Sequence, residues 1–411
     1  MTEQTVAVEG RALRRWRWVI TVAFGIGGVT VATWGPRLPA IKAALGIGTA
    51  TIGLILAGAT VGALVGLVLS TPVSHWFGSR RGVTGSIVLI AAAMALMGTA
   101  VGLRSVPLLA VAFVIVGMAI GTLDILINLE ASAIERAAGR TLMPQMHAGW
   151  SIGAALGAGI GAACAALGIS PPEQFVGEGV VISALGLAMA GAIPAGNRGR
   201  TGHPSQSRLE RLAHWLRGWI DWRLLLIGVV MLGVELAEGS ANNWLTLAVH
   251  NDHGQTAAIA ALFSAAFATG EALARIFGGP VVDRVGRVGA VRYTTALGVL
   301  GLVLFILGVG VWTVFLGTML WAVGVSMGFP LGMSAAAESG PDPASRCSVV
   351  ASIGYFANLA GPPAIGVLAE AFGLLNALWL VVALLLVAFG VAGSLRRRPV
   401  QSVVPATSGP A

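Results

Sequence analysis

The chain has 411 residues, 56% of them hydrophobic and only 10% charged, and its mean hydropathy is +0.85. An ordinary soluble domain carries about 25% charged residues, so this chain lacks the charge to coat a water-facing surface. The net charge of +8 would suit a nucleic-acid binder only if it were clustered on one soluble face, and its distribution along the chain excludes that. Lys42 is the single lysine and does not follow a glycine, which removes a phosphate-cradling Walker loop and ATP-driven transport by this chain alone. Two cysteines, Cys164 and Cys347, and six histidines without an H-E-x-x-H pattern make no zinc centre. Neither a metal nor another cofactor is expected.

Runs of roughly 20 apolar residues can cross a hydrocarbon core about 30 Å thick as helix. In chain order they predict twelve transmembrane helices, at 18–36, 50–70, 83–103, 107–129, 147–168, 176–195, 223–248, 256–277, 291–310, 312–337, 347–369 and 373–394. The stretch 293–337 has no charge and is too long for one span; Gly308-Val309-Gly310 is the turn that folds it in two. The first run reaches span length after Arg11, Arg14, Arg15 and Arg17, so it reads as an uncleaved helix with a charged anchor. The positive-inside rule orients the chain. With the N-terminus inside, only Arg37, Lys42 and Arg104 face outward and Arg275 lies within a span. The rest of the 25 basic residues fall on the cytoplasmic side, as do both termini. Cys164 and Cys347 then lie near opposite faces and cannot pair.

The longest hydrophilic stretch, 196–222, opens rich in Gly, Arg, Pro and Ser. Within it, Leu209, Leu212, Leu216, Trp219 and Ile220 share a helical face over 208–220, the pattern of a helix lying on an anionic leaflet. A disordered basic linker is the other reading. The expected organisation is a cytoplasmic tail 1–17, a six-helix bundle 18–195, the cytoplasmic linker 196–222, a six-helix bundle 223–394 and a cytoplasmic tail 395–411.

The two halves repeat. Phe77-Gly78 aligns with Val285-Gly286 at an offset of 208; Gly149-Trp150 and Gly161 match Gly354-Tyr355 and Gly366; Gly117 and Gly121 match Gly324 and Gly328. The segment Gly279-Pro280-Val281-Val282-Asp283-Arg284-Val285-Gly286-Arg287 resembles the G-x-x-x-D-R-x-G-R-R signature of the major facilitator superfamily, in loops after helices 2 and 8. The first-half loop departs from it, with His75 and Trp76 where Asp and Arg are usual. Trp34-Gly35-Pro36-Arg37, Gly121-Thr122-Leu123-Asp124 through Asn128, His147 with Gly149-Trp150, Glu238 through Trp244, and Gly361-Pro362-Pro363 are similar to the fucose-permease-like branch, including its uncharacterised bacterial inner-membrane members. The resemblance covers about 18–394. It implies an all-α polytopic protein of the bacterial plasma membrane, twelve helices in two six-helix bundles, with helices 1, 4, 7 and 10 lining a central cavity. It also implies a cytoplasmic latch through Asp283, Arg284, Arg287 and the position of His75.

A charge inside a membrane helix is costly and faces a cavity or a partner. Asp124, Glu235, Glu238 and Glu271 are the acids expected well inside helices. Asp124 and Asn128 share a face of helix 4 at i,i+4, with Asn128 expected to contact solute in the cavity. Resemblance to fucose–proton symporters makes Asp124 the proton-site candidate, although helix 1 lacks the carboxylate those symporters carry. Glu235, Glu238 and Asn242 form one stripe on helix 7, followed by Asn243 and Trp244; amides and an indole suit a hydroxyl-rich solute. Glu238 is the second proton candidate or a solute contact, or else a structural pair with neighbouring backbone or His147. Glu271 and Arg275, at i,i+4, read as a buried ion pair or a gate. His147 and Trp150 on helix 5, with Tyr355 and Asn358 on helix 11, read as cavity wall or as packing. Gly153, Gly157, Gly159 and Gly161 permit close helix approach. The expected protein is a secondary carrier, not an enzyme. It acts as a monomer, is proton- or ion-coupled, and moves a sugar-like or polar solute by alternating access. Drug or metabolite efflux and a non-transporting sensor on a carrier fold are the alternatives.

Overall fold

The computed structural model describes residues 10–47, 49–194, 218–340 and 342–396, and among these there is no strand. We number the long helices α1 (Gly10–Thr33), α2 (49–77), α3 (79–102), α4 (Val106–Ala138), α5 (Met143–Ala166), α6 (Pro171–Met189), α7 (Trp222–Leu247), α8 (257–285), α9 (287–307), α10 (Val311–Ala337), α11 (Pro343–Phe372) and α12 (Leu374–Leu395). Nine stretches among the described residues are long and apolar enough to cross a membrane. Two of these, running through α2–α3 and α8–α9, are each a pair of helices, and α11 is a further helix of 30 residues. Together they accommodate the twelve expected spans.

The break in each paired run is one glycine. Gly78 has φ 72° and ψ 167°; Gly286 has φ 75° and ψ 164°. A side chain disfavours this backbone region, and glycine does not. These are the residues aligned at an offset of 208, so the internal repeat appears as the same bend in both halves. The expected loops after helices 2 and 8 are therefore single residues. Helices α2 and α8 run on through Pro72 and Pro280, because neighbouring groups in a membrane bundle can satisfy the carbonyls a proline leaves free.

Other boundaries move for local reasons. Helix α1 is already formed at Gly10, ahead of the expected residue 18, because Ala, Leu, Arg and Trp carry helix through the arginine cluster. Helix α6 starts at Pro171, where Ser170 and Glu173 form a reciprocal capping box. Asp342 caps α11 by accepting from Ser345 N. The turn at Gly308–Gly310 is present, with Gly310 at φ 85°. The interfacial helix expected over 208–220 lies, up to residue 217, outside the described residues.

One apolar cluster is built from residues 16–193 and a second from 234–385; a third mixes Leu67 and Ile125 with residues from 224 onward. Helix α5 packs tightly on α1. A Cβ at Gly153 would lie 2.1 Å from Gly25 O, and Gly157 and Gly161 meet Val29 O and Thr33 O in the same way. Gly159 has nothing within 4 Å and takes no part in this contact. The expected list of buried acids was too short. Glu130 and Glu135 on α4 are 8% and 3% exposed, and Glu178 on α6 accepts from Thr33 and Gln174. Both cysteines are unpaired.

Candidate functional site

Both halves contribute walls to a cavity of about 470 Å³. Asp124 of α4, His147 and Trp150 of α5, Glu235, Glu238 and Asn242 of α7, Arg275 of α8, and Tyr355 and Asn358 of α11 all line it. So do Trp34 and Phe329, aromatic residues that the sequence reading had not placed there. The aligned pair Trp150 and Tyr355 occupy matching helices on opposite walls.

Three expected contacts do not reach the cavity wall. Asn128 is fully buried behind Asp124, on the same face but one turn deeper. Asn243 turns back to donate to Gly239 O at 2.6 Å. Trp244 packs beside Gly366 and the second apolar cluster. Successive residues on a helix are about 100° apart, so Asn242 can face the cavity only if the next two residues turn away.

Behind the wall, Asn128 Nδ2 donates to Asp124 O at 2.9 Å and to Asp124 Oδ1 at 3.1 Å. Turning the amide over would set its oxygen against two acceptors, so its orientation is determined. Asn128 Oδ1 is then the acceptor in the 2.9 Å contact with His147 Nε2, and the imidazole carries a proton on Nε2. Phe24 and Phe329 hold the ring, with centroids at 4.5 and 5.4 Å.

Arg275 organises the other wall. It pairs with Glu271 one turn earlier, and its Nη2 donates to Glu238 Oε2 at 2.9 Å. Its Nη1 donates to Ser151 Oγ at 2.9 Å, across to the first half. Its Nε donates to Ser326 O at 3.1 Å. That carbonyl is free because its helical donor would be the nitrogen of Pro330, which has no hydrogen; α10 breaks there into Val311–Val325 and Gly328–Ala337. The i,i+4 pair with Glu271 was legible in the sequence, whereas the partnership with Glu238 and the place on the cavity wall were not. Glu238 pairs with Arg275 and not with His147.

One end of the cavity is sealed, the end that carries Arg80, Arg136, Arg140 and Arg284. Contacts between the halves gather there. Thr141 N donates to Asp283 Oδ1 at 2.8 Å. Gln145 Nε2 donates at 3.1 Å to Ile276 O, the carbonyl left free by Pro280. In the other repeat, Ser348 Oγ donates to Leu67 O at 2.8 Å. Arg287 binds both oxygens of Glu338 at 2.7 and 2.8 Å and donates to Ser334 Oγ at 2.6 Å. Ser334 in turn donates to Glu135 Oε2 at 2.7 Å. Glu135 Oε1 accepts from Leu142 N and Met143 N, which caps the start of α5. Glu135, Ser334 and Glu338 were missed. Nothing in the local sequence pattern linked Glu135 to Ser334. Arg284 is exposed. His75 lies 3.9 Å from Asp342, so in this repeat the acid sits on the cap of α11 and not in the bend. Just outside α7, Asp221 caps that helix and binds Arg346. Partial burial works against its charge, but the bonds from Arg346 and two backbone N–H groups prevail and hold its carboxyl below the usual range.

Comparison with known proteins agrees with this architecture. The sequence model of the Major Facilitator Superfamily matches residues 227–410. The chain is 30% identical to the uncharacterised transporter y4wD of Sinorhizobium fredii over 362 residues, 88% of this chain and 93% of that one. It is 28% identical to an uncharacterised MFS-type transporter of Yersinia pestis over 370 residues, 88% and 92% of the two chains. Among solved structures, FucP in the outward conformation superposes with a TM-score of 0.77 at 14% identity, over 93% of this chain and 99% of that one. The human organic anion transporter MFSD10 gives 0.70 at 17%, over 92% and 99%. The chain belongs to the Major Facilitator Superfamily and is a multi-pass membrane transporter, FucP-like in fold, and not an enzyme.

Proposed function

We propose that this protein is a proton-coupled secondary carrier of a small, hydroxyl-bearing polar solute, working by alternating access. The observation that carries the reading is Asp124, a carboxylate 4% exposed on the wall of a cavity that both halves build and that cross-half bonds seal at one end. Residues 18–195 and 223–394 are the two bodies that rock. The sealed, arginine-rich end faces the cytoplasm of a bacterial cell, by the charge asymmetry, and the working unit is a monomer. Asp124 takes up and releases the proton, with Asn128 and His147 orienting it. Asn242, Asn358 and the indoles of Trp34 and Trp150 offer the solute hydrogen bonds and apolar faces. The FucP structures include one described as an E. coli fucose:proton symporter, which supports the same class of solute and ion here.

The test uses proteoliposomes and a panel of monosaccharides and polyols. A pH gradient drives uptake by the wild type, whereas Asp124→Asn loses gradient-driven uptake and keeps counterflow. Undiminished gradient-driven uptake in that variant refutes the proton assignment. Absence of flux for every solute would favour a sensor on a carrier fold.

A further inference from the structure

The charges around the cavity do not balance. Asp124, Glu235 and Glu238 line it, and among the described lining residues the one guanidinium or ammonium group is that of Arg275, already shared with Glu271. Glu235 accepts from Asn358 Nδ2 at 2.7 Å and Asp124 from Asn128, and an amide orients a carboxylate without neutralising it. Asp124 is deeply buried, with the Tyr355 phenol beside it from the other half. Asp124 is buried and Glu235 half-buried, and a carboxylate drawn even partly from water gains from a positive charge beside it. On the reading above, a proton serves Asp124. Glu238 has Arg275. Glu235 still lacks a counter-charge of its own.

A metal ion does not fit the vacancy in charge. Among the described residues, no three His, Cys, Asp or Glu side chains stand close enough to hold one. The carboxylates are spread around about 470 Å³, the space of an organic molecule. The wall also includes Trp34, Trp150, Phe329 and Tyr355, whose ring faces attract organic ammonium groups. Resting on the transport reading, we infer that the solute is a small hydroxylated amine, with its ammonium seated on Glu235 and its hydroxyls toward Asn242 and Asn358.

The test is binding to the purified full-length protein in nanodiscs, measured by calorimetry at neutral pH. Two matched series serve as probes: sorbitol, glucamine and gluconate, and glucose, glucosamine and glucuronate. In at least one series the amine binds about tenfold or more tighter than its neutral counterpart, the effect of one added ion pair in a partly desolvated site. Glu235→Gln abolishes that preference, and Glu370→Gln, at an exposed carboxylate outside the cavity lining, keeps it to within about threefold. Equal or tighter binding of the neutral or acidic member in both series overturns the inference, as does a failure of both amines to bind or a preference that survives Glu235→Gln. Flux of a neutral solute alone would overturn it and leave the carrier reading intact. Amine binding with no flux would do the reverse.

Discussion

Ser334→Ala tests whether the sealed end is held by the hydrogen-bond chain from Arg287 through Ser334 to Glu135. Ser334 is fully buried, and alanine keeps its Cβ, so little packing is lost. Arg287 retains Glu338, and Glu135 Oε1 retains two backbone donors at 2.8 and 2.9 Å, so neither charge is stranded. Two hydrogen bonds are lost: the one from Arg287 lies within the second half and is lost in either state, whereas the one to the charged acceptor Glu135, worth about 1.5–3 kcal/mol, is made only while the two halves meet at this end. Since about 1.4 kcal/mol is a factor of ten, the equilibrium moves toward opening at this end by about ten- to a hundredfold. Cys347 reports the change. It is buried in the apolar cluster that mixes the two halves, with Sγ 3.7 Å from Met333 O. In a Cys164→Ser background, alkylation of Cys347 by N-ethylmaleimide accelerates in the Ser334→Ala variant while its elution profile stays that of the folded parent. An alkylation rate equal to that of the parent refutes the role of Ser334 in the closure.

Arg275→Met leaves Glu271, whose side chain is 7% exposed, and Glu238 without their counter-charge. The expected loss is about 3–5 kcal/mol of stability in detergent denaturation, mostly recovered by adding Glu271→Gln. Gly153→Ala drives a Cβ to 2.1 Å from Gly25 O and lowers stability by about 1–3 kcal/mol, whereas Gly159→Ala, with open space around it, is tolerated; comparing unfolding midpoints separates the two. Asp221 titrates lower in the folded protein than in the unfolded chain. Its contribution is therefore complete above the ordinary aspartate range and is lost as pH falls through its depressed value. Asp221→Asn should flatten that acid limb of the stability profile and leave the neutral region with the same slope as the parent.

What the sequence alone determined is what depends on local composition. Run length and charge placement located the spans, and one glycine in each half, Gly78 and Gly286, carried the internal repeat down to its backbone angles. Period also placed Glu235, Glu238 and Asn242 on one stripe. Period along one helix does not say which neighbour a face meets, and there the tertiary structure decided. It set Asn128 behind Asp124 and turned Asn243 and Trp244 away. It brought Arg275 from a pair with its own helix to the cavity wall, where Pro330 frees a carbonyl for it 51 positions along the chain. It also joined Glu135 to Ser334 across 199 positions, a contact that exists only because the two halves close against each other at one end.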